Sequence, residues 1–212
     1  MGRGKPLKRG RAKRPELRRF LIYCEGERTE KHYLRGLRSD LSGLPVQIEI
    51  GPEHGVPTAL VRAAVRHRDR APHSRQDRFS AYDEVWCVMD VEAPVPHPDL
   101  ERAIEEARRK QIRVALSNPC FELWLLLHFQ EIGGYNTSAA AQKLLEKHGA
   151  CGYRTDRKHL QYAPLRERRL VAGERARALR SSAVGPGFRH NPWTDVDVLV
   201  DRLMDQAQEA GG

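Results

Sequence analysis

Residues 20–33 read FLIYCEGERTEKHY, and how that stretch divides decides the fold. Phe20–Cys24 is a short apolar run, of strand length rather than helix length. It stops at Glu25-Gly26, and Thr29–Leu41 then shows helical spacing, with Tyr33, Leu34, Leu37 and Leu41 on one side. A strand turning directly into a helix opens a βα unit. The acid at its hinge needs a reason: buried strands ordinarily end in Asn, Asp, Ser or Gly, whereas here Glu25 is followed by a glycine and by more acids.

The same alternation continues. Val46–Ile50 reads as a second strand, and Thr58–Arg68 as a helix with Thr58 at its N-cap. Residues 69–80 are polar loop. Glu84–Met89 is a third strand ending in Asp90, and Asp99–Lys110 is a helix acidic at its start and basic at its end, as the helix dipole favours. Gln111–Leu116 is a fourth strand. Asn118 then suits an N-cap and Pro119 the first helical position of a buried helix, Cys120–Gln130. Strands joined by helices through short connections predict an α/β fold: a parallel four-stranded sheet with helices on both faces. After Glu131 no further strand is expected. Thr137–His148, Pro164–Arg180 and Thr194–Gln208 all read as helices, giving a C-terminal helical extension with Thr194 and Asp197 placed for a capping box.

A chain of 212 residues supports one substantial core. No apolar run approaches a membrane span and the N-terminus lacks an apolar signal region, so the expectation is a cytoplasmic protein with no membrane association. The four cysteines are widely spaced, with no CxxC or Cys/His cluster, which argues against structural zinc and against disulfides. The net charge of +9 is local: residues 1–19 hold nine Lys or Arg against Glu16 alone, and a second basic stretch runs from Arg154 to Arg180. The first is expected to be a disordered basic arm (1–18). Attraction to phosphates is the natural use of both stretches, the alternative being a solubilising tail and a solvated helix face. The arm precedes an α/β domain over 19–130, and 131–212 form the helical region packed on it.

In a parallel sheet the carboxyl ends of the strands share one edge, and ligands bind there. Glu25 ends the first strand and Asp90-Val91-Glu92 the third. Residues two apart in an extended segment point the same way, so Asp90, Glu92 and Glu25 are expected to converge. Three carboxylates in a half-buried site repel one another, and a divalent cation relieves that; an oxygen-only set favours magnesium or manganese. Gly26 would permit the sharp turn and close approach of a phosphate. Glu122, one turn into an otherwise apolar helix that starts on the same edge, either joins this site or serves the helix N-terminus. Asn118 has the same two readings, and His190 and Asn191 are within conceivable reach. Trp86, Trp124 and Trp193 are expected in the core.

"EG" after one apolar strand and a DxD-like pair after another is the pattern of the Toprim domain. Together CEGERTEKHY, VWCVMDVE, ALSNPCFELWLLLHF and NPWTDVDVLV resemble the RloB family, Toprim-like proteins associated with bacterial phage defence and abortive infection. The resemblance runs from about Phe20 to Leu203. It implies a Toprim-like, Rossmann-like sheet in 19–130. It also implies a metal-dependent nuclease acting on DNA or on tRNA or other RNA, with Mg2+ or Mn2+ held by Glu25, Glu30, Asp90 and Glu92 and catalysis by Glu25, Asp90, Glu92 and Glu122. Glu92 departs from the family pattern, in which the second acid is Asp. Lys158, Arg157 and Arg154 would hold the nucleic acid. An ABC-type ATPase partner and a homo-oligomer are further implications. No GxxxxGK[ST] motif occurs, so P-loop ATP hydrolysis by this chain is not expected. The rival reading is a non-catalytic Toprim-like module that binds an ATPase or nucleic acid.

Overall fold

The computed structural model describes residues 17–183 and 187–209. The expected basic arm lies outside the described residues as far as residue 16, and its last residue, Arg18, already begins the first strand. Strands β1 (Arg18–Cys24), β2 (Val46–Ile50), β3 (Glu84–Asp90) and β4 (Arg113–Asn118) pair in parallel in the order β2-β1-β3-β4. Helices α1 (Thr29–Asp40), α2 (Pro57–Arg70), α3 (Leu100–Arg109) and α4 (Glu122–Leu127) alternate with them. They are followed by α5 (Ser138–His148), α6 (Ala163–Arg166), α7 (Arg169–Ser182) and α8 (Val196–Glu209).

Side-chain alternation along β1 sorts the molecule into two cores. Phe20, Ile22 and Cys24 face a large apolar layer built from α1, α4, α5, α7 and α8. Leu21 and Tyr23 face the smaller layer under α2 and α3. Every β1 residue after Arg18 is buried, as expected for a strand covered on both faces. The three tryptophans are buried, and the four cysteines are buried and free. Among the described residues no helix is long and apolar enough to cross a membrane.

The sheet has five strands, not four. β5 (Trp193–Thr194) lies antiparallel beside β4, pairing Trp193 with Asn118 and Thr194 with Ser117. Two residues show no alternation, so nothing local announces them; contacts distant in sequence make the strand. The Ser117 and Thr194 hydroxyls hydrogen-bond at 2.9 Å, and Leu116 N donates to Asp195 Oδ1 at 2.6 Å. The expected capping box of Thr194 and Asp197 does not form. Thr194 is in the strand, and Asp197 is taken by the guanidinium of Arg180 on α7. Likewise Thr58 is not the cap of α2: it lies inside the helix and donates to Asp99 Oδ2 at 2.9 Å. The helix expected over 164–180 is divided into α6 and α7, and the buried helix after Pro119 is shorter than its apolar run, starting only at Glu122.

Asn118 is also not an N-cap. It is the last residue of β4, and its side chain joins a clasp between the "SNP" and "HNP" segments. Asn191 Nδ2 donates to Asn118 Oδ1 (2.9 Å) and to Asn136 O (2.8 Å), and Asn191 Oδ1 accepts from Asn136 N (2.9 Å). Asn118 Nδ2 donates onward to Phe188 O at 3.0 Å. This clasp ties the C-terminal region to the end of β4. Asn191→Ala removes its hub and leaves its partners at Asn118 and Asn136 unpaired. The expected cost is about 2–3 kcal/mol of unfolding free energy, read by urea denaturation; a cost below about 0.5 kcal/mol would sink the assignment.

Candidate functional site

β1 and β3 are parallel neighbours with Cys24 opposite Val88, so the residue just past β1 falls beside the end of β3. Glu25 N donates to Val88 O at 3.0 Å, and Glu25 Oε2 accepts from Asp90 N at 3.0 Å. The chain turns at Gly26 into α1, whose first-turn Glu30 folds back to accept from Gly26 N at 3.0 Å. A Cβ at position 26 would overlap that carboxylate, so here glycine serves the close approach of Glu30. Glu122 opens α4 and accepts from Thr29 Oγ1 (3.3 Å) and from the hydroxyl of Tyr153 (2.7 Å). One cavity of about 510 Å3 is lined by Glu25, Glu30, Asp90, Glu92 and Glu122 and by Arg157 and Lys158, with Glu27, Arg28 and Asp156 also on its lining.

The structure therefore brings all five sequence-named acids and two of the three named cations to one cavity. Arg154 is not among the lining residues; its guanidinium pairs with Glu146 at 3.2 Å and Asp156 at 3.5 Å. Asn118 and Asn191 are engaged in the clasp, and His190 does not line the cavity. Asp90 and Glu92 do not sit on one extended segment as expected. β3 stops at Asp90, and Glu92 has a left-handed φ of +67° with its amide donating to Pro119 O at 2.8 Å. Glu92 reaches the cavity from an exposed turn instead. Tyr153 and Thr29, which hold Glu122, carry no sequence signal of that role. Tyr153 belongs to a loop whose neck is closed by Gln161 N donating to Cys151 O at 2.7 Å, and only the tertiary fold carries it under α4.

Glu30 and Glu122 are 5% and 3% exposed, and Asp90 Oδ1 is buried with no hydrogen-bond partner. Burial first, then the charges of Glu30, Glu122 and Glu25, push the Asp90 carboxyl well above the usual carboxylate range. Glu25 is pushed up to about 7, by burial foremost and by Glu92 and Glu30, against the stabilising amide of Asp90. Glu30 rises to about 6, by burial and Glu122, against the amide of Gly26 and the ammonium of Lys158. Each group binds its proton more tightly in the folded chain than at its unfolded value near 4.5 for Glu. The stability this contributes is complete below about pH 4.5 and is lost as pH rises through 7. Without added cation, stability is expected to fall between about pH 5 and 8 by on the order of 2 kcal/mol, after allowing for partial screening of Glu25. Thermal unfolding across that range should show Glu25→Gln flattening the fall, and millimolar magnesium reversing it at the alkaline end. An unchanged slope in Glu25→Gln would refute the assignment.

Among the described residues, no three His, Cys, Asp or Glu side chains stand together as a ready metal-ligand group. Glu25 and Glu30 are turned onto the amides of Asp90 and Gly26. The donor chemistry nevertheless fits a hard cation. The set is oxygen-only, its acids repel one another, and the buried Asp90 oxygen has no partner. Each of these carboxylates keeps a second oxygen that a cation could take.

No curated protein and no solved structure matches the chain. A family model described as RloB-like protein matches residues 20–203. That interval starts within β1 and ends within α8, so it takes in all five strands, the acid cavity and the asparagine clasp. The chain belongs to the RloB-like family.

Proposed function

We propose that the chain is a divalent-cation-dependent nuclease of the Toprim type, hydrolysing phosphodiester bonds in DNA or in tRNA or other RNA as the effector of a bacterial phage-defence system. The observation that carries this reading is the cavity at the carboxyl edge of the sheet, lined by the five named acids together with Glu27 and Asp156 and by the cations Arg28, Arg157 and Lys158, with one Asp90 oxygen buried and unpartnered. Magnesium or manganese, when bound, would neutralise the scissile phosphate and lower the pKa of an attacking water. Asp90, Glu25, Glu30 and Glu92 would hold it. Glu25 serves either as a ligand or, where it is left unligated, as the proton-transfer group, its carboxyl being pushed up to about 7 in the cation-free chain. Glu122, fixed by Tyr153 and Thr29, keeps a carboxylate on the cavity wall at a set position. Arg157 and Lys158 orient the phosphodiester.

The test is cleavage of plasmid DNA, single-stranded DNA and total tRNA with magnesium or manganese, by wild type, Asp90→Asn and Glu25→Gln. Cleavage lost in both variants is the expected result; cleavage retained in both would remove this site from the chemistry. The second reading is a non-catalytic module that binds an ABC-type ATPase or nucleic acid. It is favoured by the acids being turned onto backbone amides and by the left-handed, exposed Glu92. No cleavage by any form, even with an ATPase partner present, supports it.

A further inference from the structure

The acids lie at different depths: Glu30 and Glu122 are buried, Glu25 and Asp90 half-buried and Glu92 exposed. The cavity they line runs between two segments that touch. One part of its lining is the Glu25–Glu30 turn; another is the loop from Cys151 to Gln161, which contributes Thr155, Asp156, Arg157 and Lys158. The loop is firmly formed: Gln161 N closes its neck on Cys151 O, and Arg157 N and Lys158 N both return to Arg154 O, at 3.3 and 2.7 Å. It is anchored from outside by Thr155 Oγ1 donating to Glu146 at 2.8 Å, and from below by Tyr153 on Glu122. Arg28, in the Glu25–Glu30 turn, donates across to Arg157 O at 3.3 Å.

We infer that this site takes a single strand of nucleic acid by its sugar–phosphate backbone, excludes base-paired duplex and makes no base-specific contact. The inference rests on the nuclease reading for the chemistry, but not for the binding. The depth comes first. Glu30 and Glu122 are almost fully buried, so a phosphate reaches them only by entering the cavity. A cavity of about 510 Å3 has the size of a site for one small organic molecule, room for about a nucleotide unit and not for a paired one. Duplex is stiff over ~150 base pairs, and its bases sit directly behind each phosphate. Lowering a phosphate into the cavity would require unpairing and unstacking, which a single strand avoids. The lining chemistry comes second. Among the described lining residues there is no aromatic side chain for a base to stack on. The cationic donors of the lining, Arg28, Arg157 and Lys158, suit phosphate oxygens; Asp156 beside Arg157 and the neutral Gln142, Thr29 and Thr155 complete it.

The test uses the full chain and fluorescein-labelled oligothymidylate and oligoadenylate of about a dozen nucleotides, each single-stranded and annealed as duplex. Cleavage is followed with manganese, and binding by anisotropy with calcium in its place. Single strands are expected to be cleaved at least about 100-fold faster than duplex, and the two homopolymers within about threefold of each other. The Arg157→Ala/Lys158→Ala pair should weaken single-strand binding about tenfold and lower the salt slope by about 0.7 for each phosphate that is no longer neutralised. Duplex cleaved or bound as well as single strand, or a tenfold preference between homopolymers, overturns the inference. So does failure to bind either form. Single strand bound through Arg157 and Lys158 but never cleaved leaves the inference standing and removes the nuclease reading.

Discussion

Asp90→Asn is expected to lower cation-dependent cleavage by on the order of 10³-fold while raising the melting temperature of the cation-free protein. The two effects have one cause. Asp90 presents to the cavity a buried oxygen that meets no donor, and three other carboxylates raise its proton affinity. Such a group is a liability to folding unless a cation occupies the site. The Asn side chain has nearly the same shape, carries no charge and offers an N–H to the neighbouring carboxylates. Relief of about 1–2 kcal/mol would raise Tm by roughly 2–8 °C in a chain of this size. On the catalytic side the same substitution withdraws an anionic ligand, about 4 kcal/mol of transition-state stabilisation if the loss is 10³-fold. Calorimetry with chelator and cleavage assays with manganese read the two halves separately. A variant that loses activity but also loses stability would mean that Asp90 is structural; one that keeps both would remove it from the site.

Why this site could be anticipated follows from where its signals lie. Glu25 and Asp90 are read from local features, an apolar run that stops and an acid at its end, and parallel pairing of β1 and β3 carries both to one edge. Glu122 stands out because an acid in an apolar helix is conspicuous. Glu92 is legible as an acid but not in its geometry: the chain is not extended there, because the left-handed turn at 92 is fixed by Pro119 O, contributed by another strand's end. Tyr153 has no local signature at all, since its role depends on a loop folding beneath a helix 31 positions earlier in the chain. β5 is invisible for the same reason, being two residues long and defined by its partner. The Asn118–Pro119 segment illustrates a different failure. Asn before Pro before an apolar run is a sound helix-start signal, but the Asn118 side chain meets that of Asn191, 73 positions on, instead.

Arg180→Met is expected to be among the most destabilising single changes outside the apolar core. Asp197, 1% exposed, is held between α7 and α8 by both Arg180 nitrogens, the Nη2–Oδ2 contact being 2.7 Å. Arg180 Nη1 also donates to Thr194 O at 2.6 Å, so one guanidinium joins α7, β5 and α8. Beside it, Asp195 is pushed up to about 7, by burial foremost, with Arg180 opposing the rise. Removing the guanidinium leaves a buried carboxylate without its main partner, a loss of about 3–5 kcal/mol. Arg177, 3.7 Å from Asp197 but 3.0 Å from Asp201, compensates only in part, which places the expectation at the lower end. The double variant Arg180→Met/Asp197→Leu decides whether the pair stabilises the fold or only satisfies itself. If desolvation and attraction nearly cancel, it recovers most of the single variant's loss in urea unfolding. A double variant no better than Arg180→Met would mean that the bond to Thr194 carries the effect. In that case the arginine acts chiefly on β5, and through β5 on the end of β4 from which the clasp and the acid cavity are built.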